Sequence, residues 1–126
     1  MMSMYQDIIL DHYRNPRNFG KLEKADHTVS VSNPLCGDKI SMEIIEEGDI
    51  IHNIAFSGEG CAISKAAASM LTEYVKGKSK DELRKLDKSF IMEMLGLELS
   101  PNRIKCALLS WEALIKILSS TPLTAG

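Results

Sequence analysis

The chain has 126 residues, 44% hydrophobic and 25% charged, with a formal net charge of −2. That length suits one domain, 1–126, with a core large enough to fold without disulfide staples. The near-neutral charge offers no basic field for nucleic acid or an anionic membrane, and no run approaches the ~20 apolar residues of a membrane span. With Asp7 so early, the start lacks the charged n-region and long apolar run of a signal peptide, which points to the cytoplasm.

Tyr5, Ile8, Ile9 and Tyr13 fall near helical spacing and predict a helix over 5–14. Asn15-Pro16 ends it, because the residue before proline avoids the αR region. A polar loop runs to residue 26, and Val29 and Val31 then share one face of a short strand over 27–32. Over 39–46, Ile40, Met42 and Ile44 alternate with Ser41 and Glu43. The turn dipeptide Gly48-Asp49 leads into a third strand over 50–57, with Ile54 and Phe56 inward. After Cys61 the period changes. Residues 62–75 are rich in helix formers, with Gly77 just past the helix end. Ser79-Lys80-Asp81-Glu82 matches a capping box, and 87–95 forms another helix that stops near Gly96. Ser100-Pro101 opens the last helix, whose stripe reads Ile104, Ala107, Leu108, Trp111, Ile115 and Leu118. The tail from Ser119 is expected to fray. These elements predict an α+β fold: an N-terminal helix, a small three-stranded antiparallel sheet, then a helical C-terminal half packed on one face.

The chain has three cysteines, and an odd number without an export signal argues against a disulfide framework. Three buried thiols packing as small hydrophobes would fit the composition equally well. Their positions favour chemistry. Cys36 lies in Asn33-Pro34-Leu35-Cys36-Gly37-Asp38 between two strands, Cys61 follows Ser57-Gly58-Glu59-Gly60 where strand gives way to helix, and Cys106 sits near the start of the last helix. A core cysteine belongs inside a periodic apolar stripe, whereas these fit junctions gathered at one end of a scaffold. Metal ligation and nucleophilic attack both need thiolate, which a helix N-terminus favours. Gly37, Gly58 and Gly60 permit close backbone approach beside the sulfurs. Three thiolates and the Asp38 carboxylate would satisfy four-coordinate zinc, or hold iron with Asp38 as the harder, more exchangeable ligand. Asp38, following a glycine, could equally close a local Asx turn. There is no CxxC pair of the zinc-finger or thioredoxin kind.

Four blocks in order make a more specific pattern: 4–18 (MYQDIILDHYRNPRN), 33–38 (NPLCGD), 58–64 (GEGCAIS) and 103–107 (RIKCA). The chain resembles the IscU/SufU family of iron–sulfur cluster assembly proteins, similar to the N-terminal part of NifU, from Tyr5 to about Leu118. The resemblance implies cysteines and an aspartate at one exposed end of an α+β fold. It implies Cys36, Asp38, Cys61 and Cys106 as ligands, Zn²⁺ in the isolated protein, and a transient iron–sulfur cluster of the 2Fe–2S type. Sulfur would come from a pyridoxal-phosphate cysteine desulfurase, with Cys36 and Cys106 as persulfide acceptors, and cluster would pass to apo iron–sulfur acceptor proteins. Two departures stand out. The Lys-His-Cys and Leu-Pro-Pro-Val-Lys signatures of IscU are replaced by Leu99-Ser100-Pro101-Asn102-Arg103-Ile104-Lys105-Cys106. The wording around the cysteines is SufU-like, yet Cys61 and Cys106 are 45 positions apart (106 − 61), without the segment SufU inserts there. The resemblance implies a cluster scaffold and sulfur acceptor, with a zinc-dependent sulfurtransferase that activates its desulfurase as the alternative and a plain structural zinc domain as a weaker third.

Other residues read less sharply. Lys105 and Arg103 could assist a thiolate or persulfide at Cys106, or be solvated helix-surface cations. His12 reads as a packing histidine, and His27 and His52 as structural or surface residues. Tyr5 suits either the core or a partner contact. Met70, Met92 and Met94 read as core filling, and the charge run 76–88 as a solvated face.

Overall fold

Alternation in the second predicted strand decides which face of the sheet is covered: Ile40, Met42 and Ile44 are all fully buried. The structure, a computed structural model, describes residues 4–34, 37–96 and 98–120. Cys36 therefore lies outside the described residues, as does the tail beyond Ser120.

The elements run α1 (Met4–Arg14), β1 (His27–Asn33), β2 (Asp38–Glu47), β3 (Ile50–Glu59), α2 (Ala62–Val75), α3 (Lys80–Arg84), α4 (Lys88–Leu95) and α5 (Pro101–Ser120). The three strands form an antiparallel sheet in the order β1-β2-β3. α2 and α5 pack on that sheet and on each other, and α1 lies against α2. The α+β expectation holds, and the core joins Val31, Ile40, Met42, Ile44, Ile54 and Phe56 to Ala67, Leu71, Leu109, Leu114 and Ile117. α2 is enclosed on most sides, which its small residues Ser64, Ala66, Ala67, Ala68 and Ser69 permit by letting neighbours approach closely.

The local stop and start signals act as expected. Ser79 accepts the Glu82 N–H at 3.1 Å, Asp87 accepts the Ser89 N–H at 3.0 Å, and Gly96 takes the left-handed conformation at φ 65°.

Four expectations need correction. In α1 the buried face carries Ile9 and His12, while Ile8 and Tyr13 are exposed; the Tyr5 side chain is outside the description. In α5 Ala107, Leu108 and Leu118 of the predicted stripe are buried, but Ile104, Trp111 and Ile115 are only partly so, and Leu109, Ala113, Leu114 and Ile117, outside the prediction, are buried. The covered face is wider than the predicted stripe, because the sheet and α2 both pack on this helix. The charge run 76–88 is not wholly solvated, because Lys80 is buried and its Nζ pairs with Glu46 Oε2, whose other oxygen lies 3.2 Å from His27 Nε2. Met70 and Met94 pack at the margin of the core and Met92 is only half-buried, so none of the three is a central filler.

Candidate metal centre

Asp38 opens β2 opposite Asn33 and is 4% exposed. It does not close a local Asx turn. Its Oδ1 accepts the backbone N–H of Cys61 at 3.1 Å, from 23 residues away. Cys61 is the N-cap of α2 but makes no side-chain cap of its own. Asp38 thus supplies from the sheet the negative group that a helix start favours.

Two glycines allow this approach. Gly58, at φ 137°, faces Ile40 across the ladder, and a Cβ there would lie 2.0 Å from the Lys39 carbonyl oxygen. At Gly60 a Cβ would lie 2.2 Å from Ser64 Oγ and 3.3 Å from the Asp38 carboxyl carbon. A side chain at residue 58 would push β2 away from β3 at Lys39, and one at residue 60 would crowd the Ser64 hydroxyl and the Asp38 carboxylate.

The second oxygen of Asp38, Oδ2, lies 3.6 Å from Cys61 Sγ. Cys106, one turn into α5, completes the group, and ligand atoms of Asp38, Cys61 and Cys106 all lie within 4.8 Å of one another. Sulfur ligands at ~2.3 Å around a tetrahedral ion stand ~3.7 Å apart, so the Asp38–Cys61 pair already has ligand spacing. Cys61 and Cys106 are thiols. Two soft donors beside one hard oxygen suit zinc or iron. The set present fits a metal and leaves one position for a further donor.

The burial corrects the expectation of an exposed end. Cys106 is 3% exposed and lies on the inner stripe of α5, three residues before Leu109 and seven before Ala113, so it does occupy a core-like position. The predicted stripe, narrower than the covered face, left it out. In the second turn, it also lies beyond the reach of the helix-end N–H groups, which act within the first turn. Cys61 is half-buried.

Arg103 and Lys105 are both exposed. Arg103 borders a mostly apolar cleft of about 410 Å³ with Gln6, Ile9, Leu10, Ile63 and Leu99. Lys105 borders a different one with Asn33, Pro34, Lys88 and Glu112. Among the described residues no histidine joins the metal group. His12 Nδ1 lies 2.7 Å from Ser69 Oγ, and burial, aided by Arg17, pushes its pKa below 6.5. His27 pairs with Glu46, and His52 is exposed beside Glu47.

Sequence reading missed Ser64 as part of the site. It is fully buried, donates to the Cys61 carbonyl at 3.1 Å and stands 3.9 Å from Cys61 Sγ. Its signal was the hydroxyl three residues into a helix that a cysteine caps.

Comparisons with known proteins agree with this architecture. Residues 4–121 match the NifU-like N terminal domain. The zinc-dependent sulfurtransferase SufU of Bacillus subtilis (strain 168) is 40% identical, covering 90% of this chain and 88% of that protein. The iron–sulfur cluster assembly scaffold protein IscU of Haemophilus influenzae is 39% identical, covering 87% and 89%. A crystal structure of a candidate iron–sulfur cluster assembly scaffold for the SUF system, from Fervidobacterium islandicum AW-1, superposes with a TM-score of 0.78 at 28% identity, over 93% of this chain and 96% of that one. Among the described residues no helix is long and apolar enough to cross a membrane. The chain belongs to the NifU-like N-terminal domain family.

Proposed function

We propose that the chain is an iron–sulfur cluster assembly scaffold and sulfur acceptor. The observation that carries this reading is the convergence of Asp38, Cys61 and Cys106 within 4.8 Å, at a strand end, a helix cap and a second helix. Cys36, two residues before Asp38 in sequence, is the fourth ligand in this proposal. The cargo is a 2Fe–2S cluster, built from iron and from sulfur delivered by a pyridoxal-phosphate cysteine desulfurase and handed to apo acceptor proteins. A cytoplasmic, reducing setting suits thiols that must stay reduced.

In sulfur acceptance a thiolate of this chain attacks the terminal sulfur of the desulfurase persulfide. The new S–S bond forms here and the desulfurase thiolate leaves with the electron pair. Burial weighs against Cys106 as first acceptor, since its cover must move before a partner's persulfide can reach it. We assign first acceptance to Cys36. When no cargo is present the same donors would hold Zn²⁺, whose charge keeps the thiols deprotonated.

A second reading has its own support: at 40% identity over 90% of the chain, the likeness to a zinc-dependent sulfurtransferase matches that to the scaffolds. One experiment separates them. The protein is incubated anaerobically with desulfurase, cysteine and ferrous iron, then assayed for metal and acid-labile sulfide. A visible chromophore with stoichiometric sulfide is expected. Retained zinc that resists iron, with persulfide transfer intact, would replace the scaffold by the sulfurtransferase.

A further inference from the structure

We infer that Ser64 is a positioning residue for the sulfur of Cys61, a proposal that rests on the metal-site reading above. The Ser64 hydroxyl is fully buried and has two partners within reach on one residue, the Cys61 carbonyl oxygen at 3.1 Å and Cys61 Sγ at 3.9 Å. It has one hydrogen to give. With a neutral thiol, that hydrogen goes to the carbonyl and the S–H can point at Ser64 Oγ or at Asp38 Oδ2, which is 3.6 Å away.

A sulfur bound to a metal has no hydrogen and accepts instead. The hydroxyl can then turn from the carbonyl to the sulfur without stranding a polar group, because the Cys61 carbonyl also accepts the Lys65 N–H at 3.1 Å. The carbonyl keeps a partner in both states, so the turn costs little. Asp38 cannot do the same, since a carboxylate has no hydrogen to donate and its Oδ1 is held by the Cys61 N–H.

The backbone is shaped around this hydroxyl. A Cβ on residue 60 would lie 2.2 Å from Ser64 Oγ, so glycine keeps the seat open. Hydrogen bonds to ligating sulfur from groups outside the coordination sphere orient the ligand and tune the metal, and losing such a partner typically weakens metal affinity 10–100-fold.

The test uses the full chain and its Ser64→Ala variant with Zn²⁺ and with Co²⁺ as a coloured probe. Alanine favours helix and fills nearly the same space, and thermal unfolding of the metal-free proteins checks that both fold. Zinc affinity, read by competition with a chromophoric chelator, should fall about 10-fold. A hydrogen bond lowers the energy of sulfur lone pairs, so its loss should move the sulfur-to-cobalt charge-transfer band to longer wavelength. A merely structural role would leave that band in place. Gly60→Ala, which unseats the hydroxyl without removing it, should shift the band in the same direction.

Wild-type affinity with a superimposable band in Ser64→Ala overturns the role of Ser64 and leaves the metal site standing. An affinity loss without a band shift overturns it too. Absence of any sulfur-to-cobalt band in the wild-type protein overturns the metal site itself, and the inference with it.

Discussion

Gly58→Ala tests whether the site is held by backbone contact between β2 and β3 rather than by the metal. Alanine at φ 137° carries conformational strain of about 1–3 kcal/mol. The added Cβ would also lie 2.0 Å from the Lys39 carbonyl oxygen, where neither partner is a flexible side-chain end. The strands must separate by roughly an ångström at the residue next to Asp38, and the total cost is on the order of 3–4 kcal/mol, a large share of ordinary domain stability. Gly77→Ala is the control, because at φ 87° it has comparable strain but nothing within 4 Å of its Cβ. It should cost about 1 kcal/mol. Urea unfolding of both metal-free variants measures the difference, and zinc titration should show weakened binding in Gly58→Ala alone. Equal unfolding midpoints for the two variants would refute the contact argument.

Lys80→Met should cost about 2 kcal/mol at pH 7, less than the 3–5 expected for breaking a fully buried pair, because Glu46 keeps His27 and its side chain is 24% exposed. Burial pushes the Glu46 carboxyl up, but the contacts from Lys80 and His27 outweigh it and hold its pKa below 4.5. Glu46 thus stabilises the fold fully above pH 4.5 and loses that contribution as pH falls through its lowered value; the wild-type advantage over Lys80→Met should shrink in that window, read by urea unfolding across pH. Cys36→Ser, Cys61→Ser and Cys106→Ser should each abolish zinc retention while the fold survives, with Cys106→Ser losing more stability than Cys61→Ser because its hydroxyl is buried on α5; full zinc affinity in any variant removes that cysteine from the site. Asp38→Ala should keep metal or cluster bound but slow its release to an acceptor, and Asp38→Cys should trap it further; transfer at the wild-type rate from both would rule out a labile carboxylate.

Strand phases and helix ends were legible because they follow from local rules. Ile40, Met42 and Ile44 alternate where one face is covered, and Ser79, Asp87 and Gly96 act on neighbours within a few residues. The phase of α5 was legible only in part: Ala107, Leu108 and Leu118 are buried as the period required, but contact with both the sheet and α2 widens the covered face to Leu109, Ala113, Leu114 and Ile117. Cys106 was misjudged because that wider face takes it in. Lys80 was hidden inside a charge run because its partner Glu46 lies across the β2–β3 hairpin. At the site, the residue types and junctions pointed to Asp38, Cys61 and Cys106, but not to the division of labour within them. Nothing local to residue 38 says that its carboxylate holds the N–H of residue 61.

That division bears on how a site can be both preformed and labile. A zinc finger gains its fold from the metal, so releasing the metal unfolds it. Here Asp38 Oδ1 accepting the Cys61 N–H joins the strand to the helix start, and glycines admit the approach. The remaining oxygen, Oδ2, lies 3.6 Å from the sulfur, and in the proposed metal site it is the group that a bound ion would gain or lose. Losing it leaves Oδ1 in place, so the chain can open one corner of the site without disturbing the start of α2. In the proposed scaffold, cargo release then needs one hard ligand to let go rather than a domain to unfold.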